Sequence, residues 1–179
     1  MYPGRPAANV QRFFAGLTEF AFGSRLGVAD PSLVDYIAGL LARFVHSDAI
    51  FSVRGPTGTR LDQVTAMMAE ADLRIGDARR EVHRHIGDFT LFWTGVYPEA
   101  LARMQSANRA DAFFDYRELG KRAYFIASTL RNDENAEECE VLERLSHDFE
   151  LCQYGLGEVR REWERRDADG ERPGPLLFN

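Results

Sequence analysis

A long series of apolar residues recurs at alternating intervals of three and four, and this spacing restricts the fold more than any other feature of the sequence. It runs through five heptads, which keeps one face of an α-helix apolar and excludes the two-residue alternation of a half-buried strand. The members of the series are Leu61, Val64, Met68, Ala71, Ile75, Ala78, Val82, His85, Phe89, Phe92 and Val96. We therefore expect a long central helix at about 61–96, either straight or bent near Gly76 or Gly87.

Helical spacing also dominates the rest of the chain. It recurs from Phe113 to Leu130 and from Leu142 to Trp163. Asp30-Pro31 adds a helix start, because aspartate caps a helix N-terminus and proline fits its first turn. Sustained three-four spacing favours helices that cross at shallow angles. The sequence thus predicts an all-α fold, a bundle of five or six helices around the central helix at about 61–96.

The length and the polar C-terminal sequence define the expected domain organisation. A chain of 179 residues fits one domain with a core of its own. From Arg165 the sequence becomes strongly polar, reading RRDADGERPGP. We expect a single helical domain at 1–166 and a polar C-terminal tail at 167–179.

Charge and cysteine usage exclude several classes of function. The net charge of −6 argues against nucleic-acid partners and against binding to anionic membranes, both of which require basic surfaces. No apolar run approaches the roughly 20 residues of a membrane-spanning helix, and the N-terminus lacks the apolar core of a signal peptide. Cys139 and Cys152 are too far apart on one helix for a disulfide, which predicts free thiols. We expect a cytoplasmic protein.

Two triplets of carboxylate, histidine and carboxylate, at positions i, i+4 and i+7, raise the question of a metal site. The first is Glu81, His85 and Asp88, and the second is Glu143, His147 and Glu150. Helical bundles hold metals with such side chains when they project inward. The second triplet points away from the apolar stripe of its helix, so a metal site shared by both helices is not expected. We predict no metal and no cofactor, and retain the first triplet only as a weak alternative.

His85 occupies a core position of the heptad series, whereas His83 faces another side of the helix, beside Thr90 and Thr94. A histidine in a core seam has three interpretations. It is a structural residue with a hydrogen-bonded partner, it lines a ligand pocket among aromatic rings, or it is a metal ligand or general base. The pocket interpretation groups the following candidate residues: His85, Phe89, Phe92, Trp93 and Tyr116.

Several helices carry apolar residues on a second face as well. These residues are Leu91, Phe114, Phe125, Leu151 and Tyr154. Either further helices cover them, or they form an exposed surface for a partner. Because they lie in several helices, we expect them to be interface residues through which the chain self-associates.

The sequence contains no nucleophile elbow, no phosphate-binding loop ending in Gly-Lys-Ser/Thr and no Gly-x-Gly-x-x-Gly motif. We therefore expect a non-catalytic, cytoplasmic interaction or scaffold protein that forms a homodimer or binds a protein partner. The alternative is a helical-bundle protein that binds a small molecule or a metal in an aromatic pocket around His85. In that alternative the question of enzymatic activity stays open.

Overall fold

The computed structural model describes residues 6–44, 62–107 and 111–169, together with Gly55 and Gly58. These residues form eight α-helices and one π-helical turn at Phe20–Arg25, and no strand occurs among them. In chain order the helices are α1 (Pro6–Glu19), α2 (Pro31–Phe44), α3 (Val64–Leu73), α4 (Gly76–Val96), α5 (Pro98–Ala107), α6 (Tyr116–Thr129), α7 (Ala136–His147) and α8 (Phe149–Ala168). The predicted all-α fold is confirmed. Leu61 and positions 170–179 of the expected tail lie outside the described residues.

The described helices outnumber the five or six that we expected, because local breaks divide the long apolar series. The central series is interrupted between Leu73 and Gly76, near one of the two predicted bends, and α4 restarts at Gly76 with a left-handed φ of 56°. The C-terminal segment is divided at Asp148. Phe113, which we assigned to the buried stripe of α6, precedes that helix and is 93% exposed. That assignment was wrong, because Asp115 caps α6 and ends the helical spacing there.

The chain divides into two compact units, one formed by Met1–Ile50 with Tyr154–Asn179 and the other by Phe51–Gln153. The boundary falls within α8, after Gln153. The single domain expected at 1–166 stays a prediction. The functional candidates discussed below lie almost entirely in the second unit.

In the first unit, α1 packs against α2, and the part of α8 from Tyr154 onward completes the core. The rings of Phe14 and Trp163 meet edge to face, with their centroids 4.9 Å apart. Asp30 caps α2 as predicted, since its Oδ1 accepts a hydrogen bond from the backbone N–H of Leu33 at 3.1 Å.

In the second unit, the most extensive pairing of described helices is between α4 and α6. Glycines make this close approach possible. A Cβ added at Gly87 would lie 2.6 Å from the ring of Tyr124, and one added at Gly120 would lie 2.5 Å from the ring of Phe149 and nearer still to Thr90. Both positions are therefore occupied by a neighbouring side chain, which brings the two helix backbones together.

Asp111 attaches α3 to the segment before α6. Its buried carboxylate accepts hydrogen bonds from the backbone N–H groups of Val64 and Thr65 at 2.9 and 3.2 Å, and from the Thr65 hydroxyl at 2.9 Å. The Tyr116 hydroxyl donates a fourth bond at 2.9 Å. A carboxylate at a helix N-terminus satisfies N–H groups that have no partner inside the helix. This contact fixes where α3 begins relative to α6.

The close contact at Gly120 predicts a specific loss of stability. Gly120→Ala should lower the free energy of unfolding by about 1–3 kcal/mol, because the new methyl group must displace Phe149 or Thr90 from a packed core. The matched control is Gly16→Ala, since Gly16 lies within α1 with nothing near its missing Cβ. The control should gain up to about 1 kcal/mol from its higher helix propensity. Urea unfolding followed by circular dichroism measures both, and equal stability of the two variants would contradict the contact.

Candidate functional site

The five residues that we predicted to line an aromatic pocket are buried and in mutual contact. The Phe89 ring lies at the centre of the group, with its centroid 6.3 Å from that of His85, 6.2 Å from Trp93 and 6.4 Å from Tyr116. Phe92 meets Trp93 edge to face at 5.4 Å. These contacts are those of a packed aromatic core, and the role of the five residues as a ligand pocket stays a prediction.

Tyr116 also lines a shallow cleft of about 250 Å³ with Thr94, Phe114 and Gln153 among its neighbours. Its hydroxyl is already engaged by Asp111. Burial and the adjacent Asp111 carboxylate raise the pKa of Tyr116 far above its usual value, so the hydroxyl stays protonated. The tyrosine acts here as a hydrogen-bond donor to the core.

The side chains of the predicted metal triplet have other partners. Glu81 pairs with Arg80 at 2.8 Å and with Arg84 at 2.6 Å. Asp88 accepts a hydrogen bond from the Tyr124 hydroxyl at 2.9 Å, and His85 packs on Phe89. Across the described ranges, no group of three or more His, Cys, Asp or Glu side chains is arranged to hold a metal ion.

The predicted interface residues differ in exposure. Leu91 is completely buried in the chain's own fold and therefore does not belong to an exposed surface, since the second face of α4 is covered as well. The other four predicted residues are partly exposed: Phe114 at 37%, Phe125 at 50%, Leu151 at 39% and Tyr154 at 57%.

A cleft of about 150 Å³ opens between α3, α4 and α6 in the second unit. Each helix contributes one face to it, with residues at helical intervals of three or four. Its walls combine apolar and charged side chains, namely Met68 and Asp72 from α3, Arg79, His83 and Ile86 from α4, and Leu119, Arg122, Ala123 and Ile126 from α6.

His83 is the buried polar group of this cleft. It is only 7% exposed, and its Nε2 atom has no hydrogen-bond partner among the described residues. Burial lowers the pKa of His83 below its ordinary value of 6.5, and the positive charge of Arg79 lowers it further. Asp72 opposes this shift, and Arg122 adds a weaker lowering effect. His83 is therefore a neutral imidazole at pH 7.

Two arginines line the cleft, of which Arg79 is half-buried and Arg122 is exposed. Neither Arg79 nor Arg122 forms an ion pair with a described residue, and the Nε of Arg79 is buried without a partner. Asp72 is the one carboxylate among the lining residues. With His83 neutral, the lining carries one net positive charge. An anion or a strongly polar group in the cleft would supply partners for these nitrogens.

A larger cleft of about 340 Å³ lies in the first unit, and Glu19, Asp30 and Asp35 contribute its acidic groups. The Asp30 carboxylate already accepts a hydrogen bond from the backbone at the N-terminus of α2. That cleft offers no buried polar atom without a partner among its lining residues, so it lacks the feature that distinguishes the cleft at His83.

Sequence reasoning placed the candidate site around His85 and did not select His83. The signal was nevertheless present, since Arg79, His83 and Ile86 share one face of α4 by their spacing of four and three. Arg122, Leu119 and Ile126 share one face of α6 in the same way. The spacing does not show that these two faces meet, because that depends on the packing of α4 against α6.

We compared the chain with protein-family models, with curated proteins and with solved structures, and none of them matches it significantly. Among the described residues, no helix has the length and apolar character needed to cross a membrane. The class that fold and site define is therefore an all-helical protein with a small, positively charged cleft.

The environment of His83 predicts its titration. In side-chain nitrogen NMR spectra, one histidine signal should titrate below 6.5 and disappear in His83→Gln. Because the folded chain binds this proton more weakly than the unfolded chain, His83 should also lower the free energy of unfolding as the pH falls below about 6.5. The variant His83→Gln should lack this contribution. A His83 midpoint at or above 6.5 would contradict the described environment.

Proposed function

We propose that this protein is a cytoplasmic small-molecule-binding protein whose ligand occupies the cleft between α3, α4 and α6. The observation that carries the proposal is His83, a buried side chain whose Nε2 has no protein partner and which faces a cleft. Buried polar atoms in native proteins nearly always have a partner, so a ligand is the natural complement of this one. The proposal retains the small-molecule-binding protein of our alternative hypothesis, but it places the ligand at His83 instead of at His85.

Two further properties support binding at this position. The cleft combines apolar walls with a few convergent polar groups, which is the usual composition of a small-molecule site. Arg79, His83 and Arg122 lie on α4 and α6, which pack closely at Gly87 and Gly120, and this packing supports a site formed before a ligand arrives. The free, buried thiols of Cys139 and Cys152 agree with a reducing compartment.

Filling the cleft tests the proposal. Ile126→Trp adds a large ring to a lining residue that is partly exposed, and Phe125→Trp places the same ring on the adjacent residue outside the cleft. Small molecules of neutral, cationic and anionic types are screened by thermal unfolding. A ligand at a hundredfold excess over its Kd stabilises the fold by about 2.7 kcal/mol.

We expect the screen to find molecules that raise the thermal unfolding temperature of the wild-type chain and of Phe125→Trp, but not that of Ile126→Trp. The proposal fails if no molecule stabilises the wild-type chain, or if all active molecules stabilise Ile126→Trp equally.

A second candidate function is the self-association that the sequence suggested. The observation that favours it is the exposure of aromatic side chains, above all Phe113 at 93% and Phe125 at 50%. Large exposed apolar groups often mark surfaces that bind another protein. We propose a homodimer in which these residues are covered.

Sedimentation velocity at micromolar concentration tests this second candidate. A dimer should form in the wild-type chain and weaken in the double variant Phe113→Ser/Phe125→Ser, because each substitution removes apolar area from the contact. A chain that sediments only as a monomer would exclude it without affecting the ligand-binding proposal.

A further inference from the structure

We propose that the cleft between α3, α4 and α6 selects a small monocarboxylate with a compact apolar body, held by Arg79 and Arg122 and by the Nε2 atom of His83. This inference rests on the proposed function, because it assigns a chemical class to the ligand of the same site. Each part of the proposed ligand corresponds to a described property of the cleft.

The charge of the lining matches one carboxylate. Arg79 and Arg122 are positive, Asp72 is negative, and His83 is neutral when the site is empty of anions. One monoanion therefore brings the charge of the lining to zero, which lowers the cost of partial burial. Guanidinium groups match the planar geometry of a carboxylate and bind it through paired N–H donors. The buried Nε of Arg79 is one such donor without a present partner.

The remaining walls define the body of the ligand. Met68, Ile86, Leu119, Ala123 and Ile126 are apolar, and they form the greater part of the lining. A cavity of about 150 Å³ accommodates a ring the size of benzene, whereas a long acyl chain exceeds it. A short, branched or aromatic carboxylic acid combines these requirements. Inorganic phosphate would leave the apolar walls uncovered and would bring excess negative charge.

His83 links this ligand to a proton. The charged groups that face the imidazole are Asp72 from α3, Arg79 from α4 and Arg122 from α6. A carboxylate placed among them adds a negative charge and offsets the effect of the arginines, so it favours the imidazolium form. The ring is protonated at a higher pH when the carboxylate is bound, the proton is taken from solvent, and no other bond changes. Binding should therefore raise the His83 titration midpoint.

The test uses the whole chain and three probes with the same ring: benzoate, benzamide and benzylamine. Isothermal titration calorimetry at pH 7 should show benzoate binding at least about tenfold more tightly than benzamide, with benzylamine weakest, because only the carboxylate pairs with the arginines. Arg79→Gln and Arg122→Gln should each reduce benzoate affinity and leave benzamide unchanged. The matched control is Arg117→Gln, an exposed arginine of α6 that pairs with Asp115 at 3.6 Å.

The NMR titration distinguishes recognition of the carboxylate near His83 from a change in the stability of the protein alone. Saturating benzoate should move the His83 midpoint upward, and benzamide should not. Equal affinity of benzoate and benzamide, with both lost in Ile126→Trp, would overturn the carboxylate assignment and leave the proposed function standing. Stronger binding of phosphate or octanoate than of benzoate would overturn the assignment in favour of a phosphate or a fatty acid. Absence of binding by every probe and by the wider screen would overturn both proposals.

Discussion

The close approach of α4 and α6 at Gly87 and Gly120 is the contact on which the second unit depends. The space that a Cβ would need at each glycine is filled by Tyr124, Thr90 or Phe149, so the two helices are fixed in rotation as well as in distance. One turn away along each helix, His83 and Ala123 face the cleft. The cleft therefore lies one helical turn from the positions where α4 and α6 pack most closely.

Two buried polar groups of the second unit, Asp111 and His83, differ in how fully their hydrogen bonds are satisfied. Asp111 has no arginine or lysine partner in the described structure, yet four donors satisfy its carboxylate. His83 has no partner for Nε2, and the positive groups around it disfavour its protonation. Because the same unit supplies four donors to Asp111, the missing partner of His83 Nε2 does not reflect a general lack of hydrogen-bonding groups. The energetic cost at His83 is of the kind that proteins retain at binding sites.

The sequence predicted the helical class and the cap at Asp30, because each of these follows from local spacing or local chemistry. It could not assign His83, because the heptad argument assumes that a helix has one buried face. From Val82 to Tyr97 nearly every residue of α4 and its C-cap is buried, so the side opposite the stripe also lies inside the protein. Leu91 lies on that side, where an apolar residue was consistent with burial by further helices or with binding of another protein. It is buried within the chain. Which helices cover a second face is a property of tertiary packing, and no spacing within α4 encodes it.

The proposed ligand binding would be linked to the protonation of His83 and to the stability of the fold through one thermodynamic cycle. Without a ligand, the surroundings of His83 favour the neutral ring, and the folded chain loses stability when acid protonates it. In the proposed complex, the bound anion would oppose that preference, so ligand and proton would each increase the affinity for the other by the same factor. The overall charge of −6 repels anions at long range, and only contacts inside the cleft can overcome this repulsion. The proposed selectivity therefore depends on the arrangement of Arg79, His83 and Arg122, which lie on the packed helices α4 and α6.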